Sequence, residues 1–285
     1  MKEPRKYATA DALRGALEAR LKRIAEDEGG DLQRLRKQVA FDRFLARLFS
    51  GPSSPWVLKG GYAMELRIKQ ARTTRDIDLV MKRGSVPGAD SGESLRNRLQ
   101  DFADRDLSDH FDFEIGKSMM DLEAAPYGGW RYPVDAEMAD RTFVKFHLDI
   151  AVGDLVLEPL TTAQGRDWLG FAGISAAGFP ALSPEQHLAE KIHAYTVPRK
   201  TPNTRVRNLV DMVLLLHAGK LDRSLFKEAV RAVFDRRKTH PLPETLEPPS
   251  ERWSAPYRDL ARGCGIEEEI GAAFRQVLLF WKSMA

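Results

Sequence analysis

A change of periodicity at about residue 182 does most to limit the folds open to this chain. Before it, strand patterns alternate with helical ones. After it only helical spacing remains. Asp76-Ile77-Asp78-Leu79-Val80-Met81 reads as a strand, as do residues 111–115, 130–136 and 142–152 and the short run Trp56-Val57-Leu58. Mixed strands and helices through the middle of a chain call for an α/β (α+β) unit, and the purely helical remainder calls for a second unit. The expected division is therefore 1–182 and 183–285.

Helical signals frame the strands. Leu13, Leu17, Leu21 and Ile24 form a stripe with Asp11 placed to cap it, and Gly29-Gly30 ends it. A second apolar stripe runs from Leu32 to Leu48. A short helix is predicted over 62–66, a loop over 82–93 and a helix over 94–104. Ser183-Pro184-Glu185-Gln186 marks a helix start, with Gln186 expected to complete a capping box. Helices are predicted over 184–197, 204–217 and 222–234. The five prolines between Lys238 and Tyr257 predict a loop before a last helix over 266–281.

Composition removes several function classes. With 43% hydrophobic and 30% charged residues, the chain is neither disordered nor fibrous. Its single cysteine, Cys264, excludes an intrachain disulfide and a cysteine-built zinc cage. No apolar run approaches the roughly 18 residues of a membrane span. The charged start, Met1 to Lys6, leads into no signal-peptide core, so a cytoplasmic protein is expected. The net charge is only +3, but residues 191–240 hold 12 Lys/Arg against 4 Asp/Glu, a local +8 that leaves −5 for the rest. That asymmetry fits a nucleic-acid partner, and equally a solvated basic helical face.

Three carboxylates carry the chemistry. Asp76 and Asp78 leave one face of a strand, because side chains alternate, while Ile77 and Leu79 point to a core. Phe146-His147-Leu148-Asp149-Ile150 sets a third acid in an apolar strand that can lie beside the first. Clustered carboxylates repel unless something positive sits among them, and hard oxygen donors suit magnesium with substrate phosphates. The plainer reading is a pair of surface acids at a strand end. Lys59-Gly60-Gly61 follows a strand and opens a short helix, where glycines let a phosphate approach free N–H groups; an ordinary turn would look the same. Thr74, two residues before Asp76, shares the acids' face on an extended chain, where its hydroxyl could meet an NTP phosphate or accept a regulatory phosphoryl group; it also suits a plain strand position. Asp211 interrupts an apolar helix and needs a partner, for which Lys191 on the preceding helix is placed, as a structural ion pair or as part of a site.

In order, these segments resemble a known pattern. Leu58-Lys59-Gly60-Gly61-Tyr62-Ala63-Met64, Arg72-Thr73-Thr74-Arg75-Asp76-Ile77-Asp78-Leu79 and Phe146-His147-Leu148-Asp149-Ile150 are similar to the first three motifs of the AbiEii/AbiGii toxin family, within the DNA polymerase β-like nucleotidyltransferases. The fourth motif is matched by Leu188-Ala189-Glu190-Lys191-Ile192-His193-Ala194 with Arg207-Asn208-Leu209-Val210-Asp211, and Asn208 stands where many members carry a charge. The likeness spans about residues 55–216.

The resemblance implies a nucleotidyltransferase mixed-sheet lobe with N-terminal helices and an all-helical C-terminal lobe. It implies transfer of a nucleoside monophosphate from an NTP to an RNA acceptor, expected to be the tRNA 3′ end, with release of pyrophosphate. Asp76, Asp78 and Asp149 would bind Mg2+, or Mn2+ in its place. Lys59, Gly60, Gly61, Thr74, Lys191 and Arg207 would hold the nucleotide, and Lys191 and Asp211 would join the catalytic set. A cognate antitoxin is the implied protein partner, and no membrane is involved. Two other readings stay open: a nucleotidyltransferase acting on a small molecule such as an aminoglycoside, and a non-catalytic nucleotide-binding module.

Overall fold

The structure, a computed structural model, describes residues 7–51, 54–81, 91–121, 128–198, 205–219 and 221–284. The chain divides into two units: Met1–Leu66, Thr73–Asp154 and Thr162–Ala181 form the first, and Arg67–Arg72, Leu155–Thr161 and Leu182–Ala285 the second. The expected α/β class holds, with a mixed sheet in one unit and helices in the other.

The first unit opens with α1 (Ala10–Glu28) and α2 (Leu32–Leu48). Leu13, Leu17 and Leu21 are the buried stripe of α1, as their spacing predicts. The cap is Thr9 rather than Asp11: the threonine side chain accepts from the Ala12 N–H, while Asp11 lies in the first turn and pairs with Arg141 at 2.8 Å. Gly29, at φ 63°, closes the helix. The second half of α2 is buried on every side, charges included. Arg43 and Arg47 escape the cost of burial by converging on the buried Asp109 at 2.6–2.9 Å. Phe41, Phe44, Tyr62 and Phe146 meet edge to face in the core above the sheet.

Among the described residues eight strands form the sheet: β1 (Trp56–Lys59), β2 (Asp76–Met81), β3 (Asp112–Ile115), β4 (Met120–Asp121), β5 (Gly129–Glu137), β6 (Thr142–Val152), β7 (Thr161–Gln164) and β8 (Gly178–Ala181). The order is β3-β5-β6-β2-β1-β8-β7, with β4 on β5. Two helices interrupt the strands, α3 (Gly60–Arg67) and α4 (Gly92–Ala103). The longer strands fall where alternation predicts them. β4, β7 and β8, of two to four residues, are not in the sequence reading, which does place the four-residue β1 and β3. Of the loop expected over 82–93, residues 82–90 lie outside the described residues; α4 starts at Gly92, capped by Ser91. β5 and β6 form a hairpin whose turn residues, Ala139 and Asp140, both take positive φ, the geometry that matches strand twist.

The second unit holds α5 (Pro184–Thr196), α6 (Val206–His217), α7 (Arg223–Arg237), α8 (Ser254–Cys264) and α9 (Ile270–Lys282). Residue 204, the expected start of α6, lies outside the described residues. Ser183 caps α5 by accepting from the Gln186 N–H. The reciprocal half of the capping box is not made. The Gln186 side chain instead serves a neighbouring loop, accepting from the Leu157 N–H at 2.9 Å and donating to the Leu155 carbonyl at 2.7 Å. The proline-rich stretch is also not loop throughout. Pro256 sits in the first turn of α8, where a missing N–H costs nothing, so proline there marks a start and not a break. Gly265 (φ 64°) then ends α8, and Glu269 caps α9, which therefore begins at Ile270 and not at 266. No described helix is long and apolar enough to cross a membrane.

Candidate active site

The acids of β2 stand as alternation requires. Ile77 and Leu79 are fully buried, and Asp76 and Asp78 emerge half-buried on the opposite face. β6 lies parallel to β2, with Asp149 opposite Asp78 and His147 opposite Asp76. β5 runs antiparallel to β6 and sets Arg131 opposite Asp149. One patch of the first unit thus gathers three carboxylates, an imidazole and a guanidinium.

Arg131 organises that patch. Its Nε donates to Asp149 Oδ1 and its Nη2 to Asp149 Oδ2, both at 2.7 Å, a two-pronged grip on one carboxylate. The same Nη2 lies 3.6 Å from Asp76 Oδ2, and His147 Nδ1 is 3.3 Å from Asp76 Oδ1. The bond to Asp149, with the charges of Asp149, Asp76 and Asp78, drives the arginine's pKa up. Sequence reasoning missed this residue. The alternation of Trp130-Arg131-Tyr132 marks its face, but only counting back from the hairpin turn pairs it with Asp149.

Gly60 and Gly61 open α3 directly beside this patch. Gly60 has φ +68°, and a Cβ there would land on the Asp78 carboxylate; one on Gly61 would strike the Thr74 hydroxyl. The two glycines are thus required by the close seating of Asp78 and Thr74. Thr74 is held by its own backbone N–H, which donates to Glu65 Oε1. Glu65 also accepts from Gln38 at 2.7 Å, and burial pushes its carboxyl up from the ordinary range. The Thr74 hydroxyl lies 3.5 Å from the Asp76 carbonyl. Lys59, opposite Asp78 across β1 and β2, gives its ammonium to the buried Asp154 at 2.7 Å.

The donor set suits a hard divalent cation. Magnesium takes one or two carboxylates and completes its octahedron with phosphate and water, which Asp76 and Asp78 satisfy from a single strand. The expected third ligand, Asp149, gives both oxygens to Arg131. Among the described residues, no three His, Cys, Asp or Glu side chains close on a common ion position.

The second unit contains a separate charged cluster. Asp211 on α6 is fully buried. Lys191 of α5 meets it at 2.7 Å, the pairing expected from the sequence. Arg72 adds a fork, Nε at 2.7 Å and Nη2 at 2.9 Å, that the sequence reading did not assign. Burial alone would raise the Asp211 pKa, but the two cations overcome it and bring it down to about 2. Arg207 is exposed on the first turn of α6. In the basic stretch, Arg236 and Lys238 are exposed, and Arg237 lies 3.8 Å from Glu190.

A family model described as the nucleotidyl transferase AbiEii toxin of type IV toxin–antitoxin systems matches residues 43–278. The chain belongs to the AbiEii nucleotidyltransferase toxin family. Membership places it among transferases that work as toxins and have an antitoxin counterpart. Two solved structures give low likenesses. JHP933 from Helicobacter pylori is 15% identical, with 89% of this chain and 93% of that one covered and a TM-score of 0.47. A second H. pylori protein, provisionally named a nucleotidyltransferase, is 15% identical, with 87% and 96% covered and a TM-score of 0.45. A search of curated proteins finds no match.

Proposed function

We propose that this AbiEii-family protein transfers a nucleoside monophosphate from an NTP to an RNA acceptor, the 3′ end of tRNA, with release of pyrophosphate. The observation that carries the reading is the alignment of Asp76, Asp78 and Asp149 on neighbouring strands beside the Gly60-Gly61 turn. Asp76 and Asp78, with Asp149 as third carboxylate, would hold magnesium, or manganese in its place. When bound, the ion supplies positive charge to the triphosphate and to the oxygens that attack and leave.

The protein's own groups do the rest. The start of α3 offers backbone N–H donors to phosphate oxygens, with Thr74 seated against it. Lys59 holds its charge beside the acids through Asp154. The acceptor hydroxyl attacks the α-phosphorus, the bond to the β-phosphate oxygen breaks, and pyrophosphate leaves. Asp149 receives the hydroxyl proton. Lys191, fixed against Asp211, and the exposed Arg207 are the cations that the family motif assigns to the nucleotide. The excess of Lys and Arg over 191–240 supports an RNA acceptor, whose phosphates such a surface attracts in a salt-dependent way.

The test is incubation with each α-labelled NTP, magnesium and total RNA. Label is expected in a tRNA-sized band from one preferred NTP, with pyrophosphate released, and Asp76→Ala or Asp78→Ala should reduce it to background. Label on a small molecule and none on RNA would move the acceptor to that class. Nucleotide binding without transfer under any condition would leave a binding module.

A further inference from the structure

Charge balance in the acidic patch depends on a side chain outside the acid motifs. Asp76, Asp78 and Asp149 are set by strand register on one face. Left alone they would repel one another. Arg131 relieves this by gripping both oxygens of Asp149 at 2.7 Å while standing 3.6 Å from Asp76. A guanidinium cannot be neutralised at working pH, and its planar fork matches a carboxylate in a way that a lysine would not. It therefore sits as a fixed positive charge against one acid that a divalent cation would use and beside another.

We propose that Arg131 is the resident counter-ion of this site. In the nucleotide-free protein it withholds Asp149 from a free divalent cation, so that the ion binds well only with the nucleotide, whose triphosphate offers the guanidinium a second anionic partner. Arg131 is thus a positioning residue that acts through Asp149. The inference rests on the reading that Asp76 and Asp78 hold a divalent cation, and adds that the site favours the metal–nucleotide complex over the bare ion. Occupation of both Asp149 oxygens by the guanidinium supplies the discrimination. The half-exposed His147 meets Asp76 at 3.3 Å and the Lys59 ammonium meets Asp154 at 2.7 Å, whereas Arg131 is the cation on Asp149.

The test is Mn2+ binding to the full chain without nucleotide, read by electron paramagnetic resonance and calorimetry. Circular dichroism melting confirms that each variant is folded. Arg131→Ala and the bulkier Arg131→Gln should both bind Mn2+ about tenfold tighter than wild type, because one more carboxylate is then open to the ion. Lys145→Ala, which removes a cation that pairs with Asp135 on the same hairpin, should leave binding unchanged. In an Asp149→Asn background the gain from Arg131→Ala should vanish. Unchanged or weaker binding in both Arg131 variants overturns the proposal, as does a gain that survives Asp149→Asn. Failure of the underlying reading looks different: Asp76→Asn and Asp78→Asn would then bind Mn2+ as wild type does, whatever Arg131 contributes. Absence of Mn2+ binding in every variant overturns both.

Discussion

Asp42 and Asp211 are both buried carboxylates, one in each unit, and their surroundings push them in opposite directions. Asp42, on α2, accepts from the Tyr62 hydroxyl at 2.6 Å, the Trp168 Nε1 at 2.9 Å and the Arg166 backbone N–H at 2.9 Å. Every one of those donors is neutral. Burial dominates, and the carboxyl is pushed up to about 6. Asp211 has two full cations, Lys191 and Arg72, and is brought down to about 2 despite equal burial. Three good hydrogen bonds do not outweigh desolvation of the charge, and two opposite charges do. A buried acid in the first unit is thus held by dipoles near its titration point, and one in the second is locked in its ionised form.

Removing Asp211 should break this contrast most. Asp211→Ala leaves Lys191 and Arg72, whose side chains are only 15% and 13% exposed, without their shared anion. A loss of about 3–5 kcal/mol is expected in urea denaturation. Asp42→Asn keeps one acceptor oxygen, for Trp168 and the Arg166 N–H, and can turn its amide N–H toward the Tyr62 oxygen, so it should cost less, about 1–3 kcal/mol. Equal losses would mean that the charge of the partners does not matter.

Lys191→Ala comes next, at about 2 kcal/mol, because the Arg72 fork still satisfies the carboxylate. The same variant separates two roles for the lysine. If Lys191 also serves the triphosphate, turnover per folded molecule falls sharply; if it only pairs with Asp211, the melting temperature drops and turnover holds.

The pH dependence sharpens the comparison. Asp42 has a folded-state pKa of about 6 against a reference of 3.8, so the folded protein binds this proton more tightly than the unfolded chain. Its contribution to stability is full below 3.8 and is lost as pH rises through 6. Between pH 7 and pH 5 wild type should gain about 1 kcal/mol from this group, and Asp42→Asn should flatten that slope. Asp211 behaves oppositely: its contribution is present above 3.8 and disappears as pH falls toward 2. A stability profile from pH 7 to pH 5 that is identical in wild type and Asp42→Asn would refute the first half.

The smallest effect on stability is expected at Arg207. It is exposed, so Arg207→Ala should change stability by no more than about 0.5 kcal/mol. A drop in nucleotide use at constant melting temperature would give this arginine a binding role that its surroundings do not reveal.

Legibility in the sequence followed the range of the interaction. The acids of β2 could be read because strand alternation is local, and the first helix stripe for the same reason. The pairing of Lys191 with Asp211 was legible because a charge in an apolar helix advertises its need. The fork of Arg72 on that same acid joins positions 139 apart and left no local trace. The proline at 256 was misread because the same residue stops one helix and starts another, and only the following apolar spacing tells them apart. Gly60 and Gly61 read as phosphate-binding glycines, while the requirement visible in the structure is room for Asp78, on β2, and Thr74, in the segment that leads into it.

The Arg131–Asp149 pair has a consequence for the order in which the sheet can assemble. The two residues are 18 positions apart across a tight hairpin, whereas Asp76 reaches His147 across 71. Short loops close at lower entropic cost, so the β5–β6 ribbon is the cheaper piece to form first. Its guanidinium is then in place before β2 arrives. The incoming strand brings two negative charges to a ribbon on which the guanidinium already neutralises Asp149, and electrostatics resists the docking less than it otherwise would. A slip of β2 by one residue would turn Ile77 and Leu79 toward that charge and the acids toward the core. The arginine thereby helps to select the register in which three carboxylates can share one face.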